Sequence, residues 1–185
     1  LQIGAFVQGG QNMKAIIVYQ SAYGHAGQMA GKMKEGLEES GLEVTLSAAK
    51  KTDPKMLLDH DAIIFGSPVR MGSVGNEMKT FIDTLGGVWL ESALQNRVGG
   101  VLVSGGGFNA GTEMTQPALY STLMELGSVM VGFVNDMPGY GTGANHWGPY
   151  AQVGLEGKDG PSEDCLTVCY EYGKRVAGVN KSIRG

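Results

Sequence analysis

An α/β domain with a parallel sheet covered by helices on both faces is the fold class this sequence predicts, on three observations. Short β-branched apolar runs alternate with longer segments of 3.6-residue apolar period, as a buried sheet and its crossover helices require. Of the 185 residues, 42% are hydrophobic and 17% charged, which suits one packed domain and excludes disorder. Glycine supplies 31 residues, with no Gly-x-y period and only six prolines. That is over twice its usual share of about 7%, so the glycines act as punctuation at turns, close approaches or ligand-cradling loops.

Taken in order, residues 1–12 (LQIGAFVQGGQN) lack the basic and apolar regions of a signal peptide and are expected to be an added leader or disordered. A single domain is expected over 13–185. Strands are expected at 15–19 (AIIVY), 42–46 (LEVTL), 62–65 (AIIF), 101–104 (VLVS) and 128–134 (SVMVGFV). Met29, Met33 and Leu37 form one apolar stripe of the first helix, which Ser40 and Gly41 end; methionines at that spacing are core packing. Residues 47–60 leave room for at most two helical turns. Met78, Phe81, Ile82 and Leu85 line a helix expected to stop at Gly86 and Gly87. A fourth helix runs over 112–125 with Pro117 in its first turns, where proline is tolerated. Pro161, Ser162, Glu163 and Asp164 open the last helix, the acids complementing its dipole. The stretch 135–160 is long, glycine-rich and aromatic. Loops of that length are uncommon and usually functional.

Bulk properties exclude several functions. A net charge of −4 with scattered basic residues offers no footprint for nucleic acid, so small molecules or proteins are the expected partners. Two cysteines, 165 and 169, make no disulfide framework or metal cluster and imply a reducing compartment; they share an apolar helix face and read as core thiols. No apolar run approaches the ~20 residues that span a bilayer. The three histidines are widely separated and no metal site is expected, with Asp59, His60 and Asp61 read as a polar turn. A Gly-x-Ser-x-Gly nucleophile elbow is absent.

In an open parallel sheet, ligands bind beyond the carboxyl ends of the strands, so three strand-to-helix junctions matter. The first, 20–27 (QSAYGHAG), offers Ser21, two glycines and the free amides of a helix start, and contains no Lys or Arg. It fits neither a P-loop nor a dinucleotide fingerprint; hydroxyl and amide donors alone suit a terminal phosphate, as in the flavodoxin solution for FMN. An ordinary Ser/Gly turn is the alternative. The second, 66–75 (GSPVRMGSVG), is fixed by Pro68 and turned by Gly72 and Gly75, and Val69, Arg70 and Met71 are placed to face a flat ring. Arg70 also reads as a solvated loop charge. The third, 105–111 (GGGFNAG), spells Gly-x-Gly-x-x-Ala but follows the fourth strand, with Glu125 inside a helix where a Rossmann acid would end a strand. Backbone amides against the edge of a flavin explain it better.

The runs Tyr19-Gln-Ser-Ala-Tyr-Gly-His, Asp61-Ala-Ile-Ile-Phe-Gly-Ser-Pro-Val-Arg-Met-Gly and Phe81-Ile-Asp-Thr-Leu-Gly-Gly-Val-Trp89, with the closing Gly-x-Asp-Gly-Pro, resemble the WrbA-type flavoproteins, or type IV NAD(P)H:quinone oxidoreductases, of the flavodoxin-like superfamily. The resemblance runs from about Met13 to near the end and is weakest over 47–60 and 135–160. It implies a flavodoxin-like three-layer sandwich with a five-stranded parallel sheet of order 2-1-3-4-5 and bound FMN. By that resemblance Ser21, Ala22, Tyr23, Gly24, His25 and Ala26 hold the phosphate. Ser67, Pro68, Val69, Arg70 and Met71 line the ring, and Gly105, Gly106, Gly107, Phe108, Asn109 and Ala110 supply its other edge. Tyr23 falls at a nicotinamide contact and Trp89 at a quinone contact. The family's ring-side aromatic is here Met71, and its flavin-contacting His is replaced by Glu125. Hydride from NAD(P)H to FMN, then two electrons to a quinone, is the implied activity, in a cytoplasmic homo-oligomer, dimer or tetramer. His146 and Trp147 are candidates to shape the pocket, or simply pack within their loop. An FMN-binding electron carrier reduced by a protein partner is the alternative function, and a flavin-binding regulator a weaker one.

Overall fold

A computed structural model describes residues 12–108 and 110–185, which leaves the proposed leader, apart from Asn12, and the predicted ring-edge residue Asn109 outside the described residues. The sheet is built on β1 (Lys14–Tyr19), β2 (Glu43–Ala48), β3 (Ala62–Arg70) and β5 (Val98–Gly105), in the parallel order β2-β1-β3-β5. Tyr19 lies opposite Ala48 on one side and Gly66 on the other, so these strands bring their carboxyl ends to one edge. Successive residues of a strand face opposite ways. Ala15, Ile17, Ala62, Ile64 and Leu102 therefore enter one buried cluster, with α1 (His25–Glu39) and α5 (Glu163–Arg184). Ile16, Val18, Ile63, Phe65, Val101 and Val103 enter the other, with α2 (Asn76–Asp83), α3 (Gly86–Leu90) and α4 (Thr112–Glu125). This is the three-layer sandwich.

Local signals explain the helix ends. α1 stops at Ser40, and Gly41, at φ 86°, donates to the Glu38 carbonyl while Leu42 donates to that of Leu37, a glycine-assisted cap. Ser162 caps α5 by accepting from the Cys165 amide at 3.2 Å. Two short 3₁₀ turns, Ala49–Lys51 and Pro54–Asp59, fill 47–60. Asp61 is held by Arg97 at 3.0 Å and Arg184 at 3.1 Å, and His60 bonds Thr45 and the Met56 carbonyl, so this polar turn is structural.

Three expectations need correction. Gly86 and Gly87 do not stop a helix: α2 ends earlier, where the Thr84 hydroxyl donates to the Phe81 carbonyl, and the two glycines begin α3. Pro117 is the sixth residue of α4, beyond the first turn, and withholds the bond the Glu113 carbonyl would take. The fifth strand is not a continuous 128–134. Only β6 (Val129–Met130) pairs with the start of β5; the chain then leaves the sheet and returns through β7 (Ala144–Asn145) to β8 (Gly148–Gln152), which pairs in parallel with the last residues of β5. The fifth position is thus shared by two segments around an excursion over 131–147. A small antiparallel β4 (Ser73–Val74) folds back on β3.

Candidate functional site

The loop after β1 is pinned by Gln20. Its amide donates to the Gly66 carbonyl at 2.9 Å, its side-chain oxygen accepts from the Met78 amide, and its side-chain nitrogen donates to Asn76. Ser21 Oγ then accepts from the Gly27 amide at 3.1 Å, folding the loop over the first turn of α1. Gly24 enters the helix at φ 91°, where a Cβ would meet no atom but the backbone conformation disfavours one. Among the described residues, the amides of Ala22 to Ala26 donate to no protein acceptor. Free amides at the positive end of a helix are the donors an anion needs.

β3 continues through Pro68 and Val69 to Arg70, so the second junction is partly strand. Arg70 pairs with Ser73 across a two-residue turn made of Met71 (φ 48°) and Gly72 (φ 72°). Ser67 is fully buried, donating to the Pro68 carbonyl and accepting from the Gly75 amide at 2.9 Å, which holds the hairpin base. The Arg70 guanidinium stands over the Tyr23 ring, 5.3 Å from its centroid.

These loops enclose a cleft of about 230 Å³ at the carboxyl edge of the sheet. Of the residues predicted for the site, it brings together Ser21, Ala22, Tyr23, His25, Ala26, Pro68, Val69, Arg70, Gly105 and Gly106. Others fall outside the lining. Ser67 serves the hairpin, Gly24 shapes the helix start, and Met71, predicted against the ring, is fully exposed at the turn tip. Gly107, Phe108 and Ala110 lie farther along the β5–α4 loop, Phe108 exposed. Trp89 is half exposed on α3, and Glu125 and Trp147 border a separate groove beside α4. The Trp147 ring lies tilted against His146, with centroids 4.7 Å apart, and against Tyr120 of α4 at 6.0 Å, so this pair packs away from the cleft lining.

A fourth wall was missed in the sequence: Val153, Gly154, Leu155, Glu156 and Gly157, the turn that follows β8. The available signal was the glycine excess of 135–160, but without β8 nothing marked 153 as a strand end. Val153 donates to the Gly105 carbonyl at 2.9 Å, and Gly157 to that of Gly154 at 3.0 Å. Of the third junction's glycines, Gly106 lies against this turn and Gly105 against the start of α4. A Cβ on Gly106 would lie 3.3 Å from the Gly154 carbonyl oxygen, and one on Gly105 3.2 Å from Thr112 Cγ2.

Behind the wall, a buried polar node fastens the 131–147 excursion. The Tyr120 hydroxyl lies 2.6 Å from the Val131 carbonyl, 2.7 Å from that of Trp147 and 2.9 Å from the Tyr172 hydroxyl. Burial pushes both phenols upward, Tyr172 to about 12. Gln116, fully buried, donates to the Gly148 and Pro149 carbonyls and accepts from Asn145. Cys165 and Cys169 are free and buried, and burial raises the Cys169 thiol, which describes core residues. Among the described residues no group of three or more His, Cys, Asp or Glu is placed to hold a metal, and no helix is long and apolar enough to cross a membrane.

Residues 16–102 match the family described as Flavodoxin domain. The chain is similar in structure to a flavodoxin, WrbA-like protein from Agrobacterium tumefaciens, at 28% identity and a TM-score of 0.73 over 92% of this chain and 99% of that one. It is also similar to a flavodoxin from the domain Archaea (20% identity, TM-score 0.68, 91% and 99% covered) and to oxidised Flavodoxin 1 from Bacillus cereus (16%, 0.66, 89% and 97%). Sheet order and three layers, with these similarities, give the chain a flavodoxin-like fold.

Proposed function

We propose that this chain binds FMN in the carboxyl-edge cleft and works as an NAD(P)H:quinone oxidoreductase. The observation that carries the reading is the row of amides from Ala22 to Ala26, which meet no acceptor among the described residues and open on a cleft lined by one Arg and no Lys. That donor set fits a phosphate monoester, and Val69 with the side-chain-free Gly105 and Gly106 in the lining suits a ring approached by backbone. In this reading one domain over 13–185 holds the cofactor. When bound, FMN supplies hydride acceptance from NAD(P)H and two-electron delivery to a quinone.

The protein's own part is to bind, orient and exclude water. Ser21 shapes the phosphate loop through Gly27, and the amides after it hold the anion. Val69 and Pro68 give an apolar floor, and Arg70 fixes the Tyr23 ring at the mouth. Tyr23, two-thirds exposed, would meet the nicotinamide. Trp89, outside this protomer's lining, would reach quinone at a neighbouring subunit's cleft in a cytoplasmic dimer or tetramer. The similarity to a WrbA-like protein supports this assignment.

The test is anaerobic addition of NADH or NADPH to the FMN-loaded protein, with and without benzoquinone. Bleaching of the flavin band, reversed by benzoquinone, is expected. A flavin that stays oxidised with both nucleotides overturns the enzyme reading and leaves an electron carrier reduced by a protein partner, the function that similarity to flavodoxins favours.

A further inference from the structure

The 153–157 turn is fastened at two points that differ in kind. At its start Val153 donates to Gly105 and so belongs to the sheet edge. At its end the fastening is a side chain: His25 Nε2–H donates to the Gly157 carbonyl at 2.8 Å, joining positions 132 residues apart. Among the described residues this is the side-chain hydrogen bond that joins the β1–α1 loop to this turn. Gly157, at φ 64°, lies against the same two residues, since a Cβ there would be 3.5 Å from His25 Nε2 and 3.7 Å from the Tyr23 ring. Between the fastenings the turn is open to solvent, with Leu155 92% exposed and Glu156 paired to Lys158, the residue after the turn. His25 is buried and its Nδ1 has no partner among the described residues, so within them the Gly157 bond is the ring's polar attachment.

We propose that His25 is a positioning residue, a latch that keeps the 153–157 turn closed as the fourth wall and thereby sets how long FMN stays bound. The inference rests on the cofactor reading above. A latch carried by the first residue of α1 ties the wall to the loop that takes the phosphate. Breaking it frees Gly154 to Gly157 to swing on Val153 while the amides of Ala22 to Ala26 stay in place.

Hydrogen exchange on the full chain without FMN, and FMN dissociation from the loaded protein, test this together in His25→Phe and His25→Gln. His25→Phe should raise exchange at residues 154–158 and speed FMN release about fivefold, the loss of one hydrogen bond, with the thermal midpoint of the apo-protein little changed. His25→Gln, which returns a donor at the same reach, should restore both. Unchanged exchange at 154–158 in His25→Phe overturns the latch; raised exchange with an unchanged release rate overturns its role in retention. A wild-type chain that takes up no FMN would instead sink the cofactor reading, leaving exchange to judge the latch. Nitrogen chemical shifts of His25 in the wild type give a check free of any variant: the Nε2–H tautomer is required, and an Nδ1–H tautomer contradicts it.

Discussion

At Gly36 the α1 backbone meets α5 so closely that a Cβ would overlap the Tyr170 carbonyl oxygen, and Gly173 meets the Met33 carbonyl oxygen in the same crossing. Elsewhere in α5, Gly178 has nothing within 4 Å of its Cβ position. Gly36→Ala should therefore cost about 1–3 kcal/mol through overpacking. Gly178→Ala should add about 0.5–1 kcal/mol through helix propensity. Urea midpoints of the two variants would be compared, and shifts of the same sign would refute the assignment. The phenols of Tyr120 and Tyr172 make a second residue-scale prediction. Their values are raised in the folded state, Tyr172 to about 12 from an ordinary 10.0, so the unfolded chain loses these protons first. Their contribution to stability is intact below about pH 10 and falls as pH rises from there through about 12. Tyr120→Phe should flatten that alkaline decline in a series of thermal melts; an equally steep decline would place its cause elsewhere. Such details were not legible in the sequence. Gly36 and Gly178 look alike there, because only the crossing partner distinguishes them. The exposed turn-tip position of Met71 is hidden in the same way, because its spelling does not disclose that β3 runs on to Arg70 and turns within two residues. Methionine has no preference for that left-handed position, so no local signal announced it.

Elements with a local cause were legible. β1, α1, α4 and α5 follow from apolar period and from Gly41 and Ser162 at their ends. β8 was not, because Gly148 and Pro149 depress strand propensity and its pairing with β5 is set by residues about 45 positions away. What holds β8 in place is also remote: Gln116 in α4 serves the Gly148 and Pro149 carbonyls and Asn145 together. Gln116→Leu leaves these buried groups without a partner and should cost about 2–3 kcal/mol in a urea titration. Because β8 leads directly into the 153–157 wall, the same variant should weaken FMN binding. Loss of stability with unchanged FMN affinity would show that the wall is independent of β8. The missing fourth wall in the sequence reading is thus one error with the missing strand. Three walls of the cleft were located from the strand-end rule, and the fourth needed a strand that the sequence does not advertise.

Across the whole molecule, alternating residues of the parallel strands supply two buried clusters, and the loops after β1, β3, β5 and β8 meet at one edge. Ser21 to Ala26, Pro68 to Arg70, Gly105, Gly106 and Val153 to Gly157 are far apart in the chain and adjacent only because the sheet is parallel. A ligand held at that convergence stabilises all four loops at once, so FMN at a hundred times its Kd should raise unfolding free energy by about 2.7 kcal/mol. In the proposed function the site takes a phosphorylated flavin through backbone amides. Titration of the apo-protein with FMN and, separately, with riboflavin, followed by quenching of flavin fluorescence, isolates the phosphate's share of binding. One FMN bound per chain, with riboflavin about a hundredfold weaker, is predicted, a difference of about 2.7 kcal/mol carried by the amides of Ala22 to Ala26. Equal affinity for the two flavins, or uptake of neither, would contradict it.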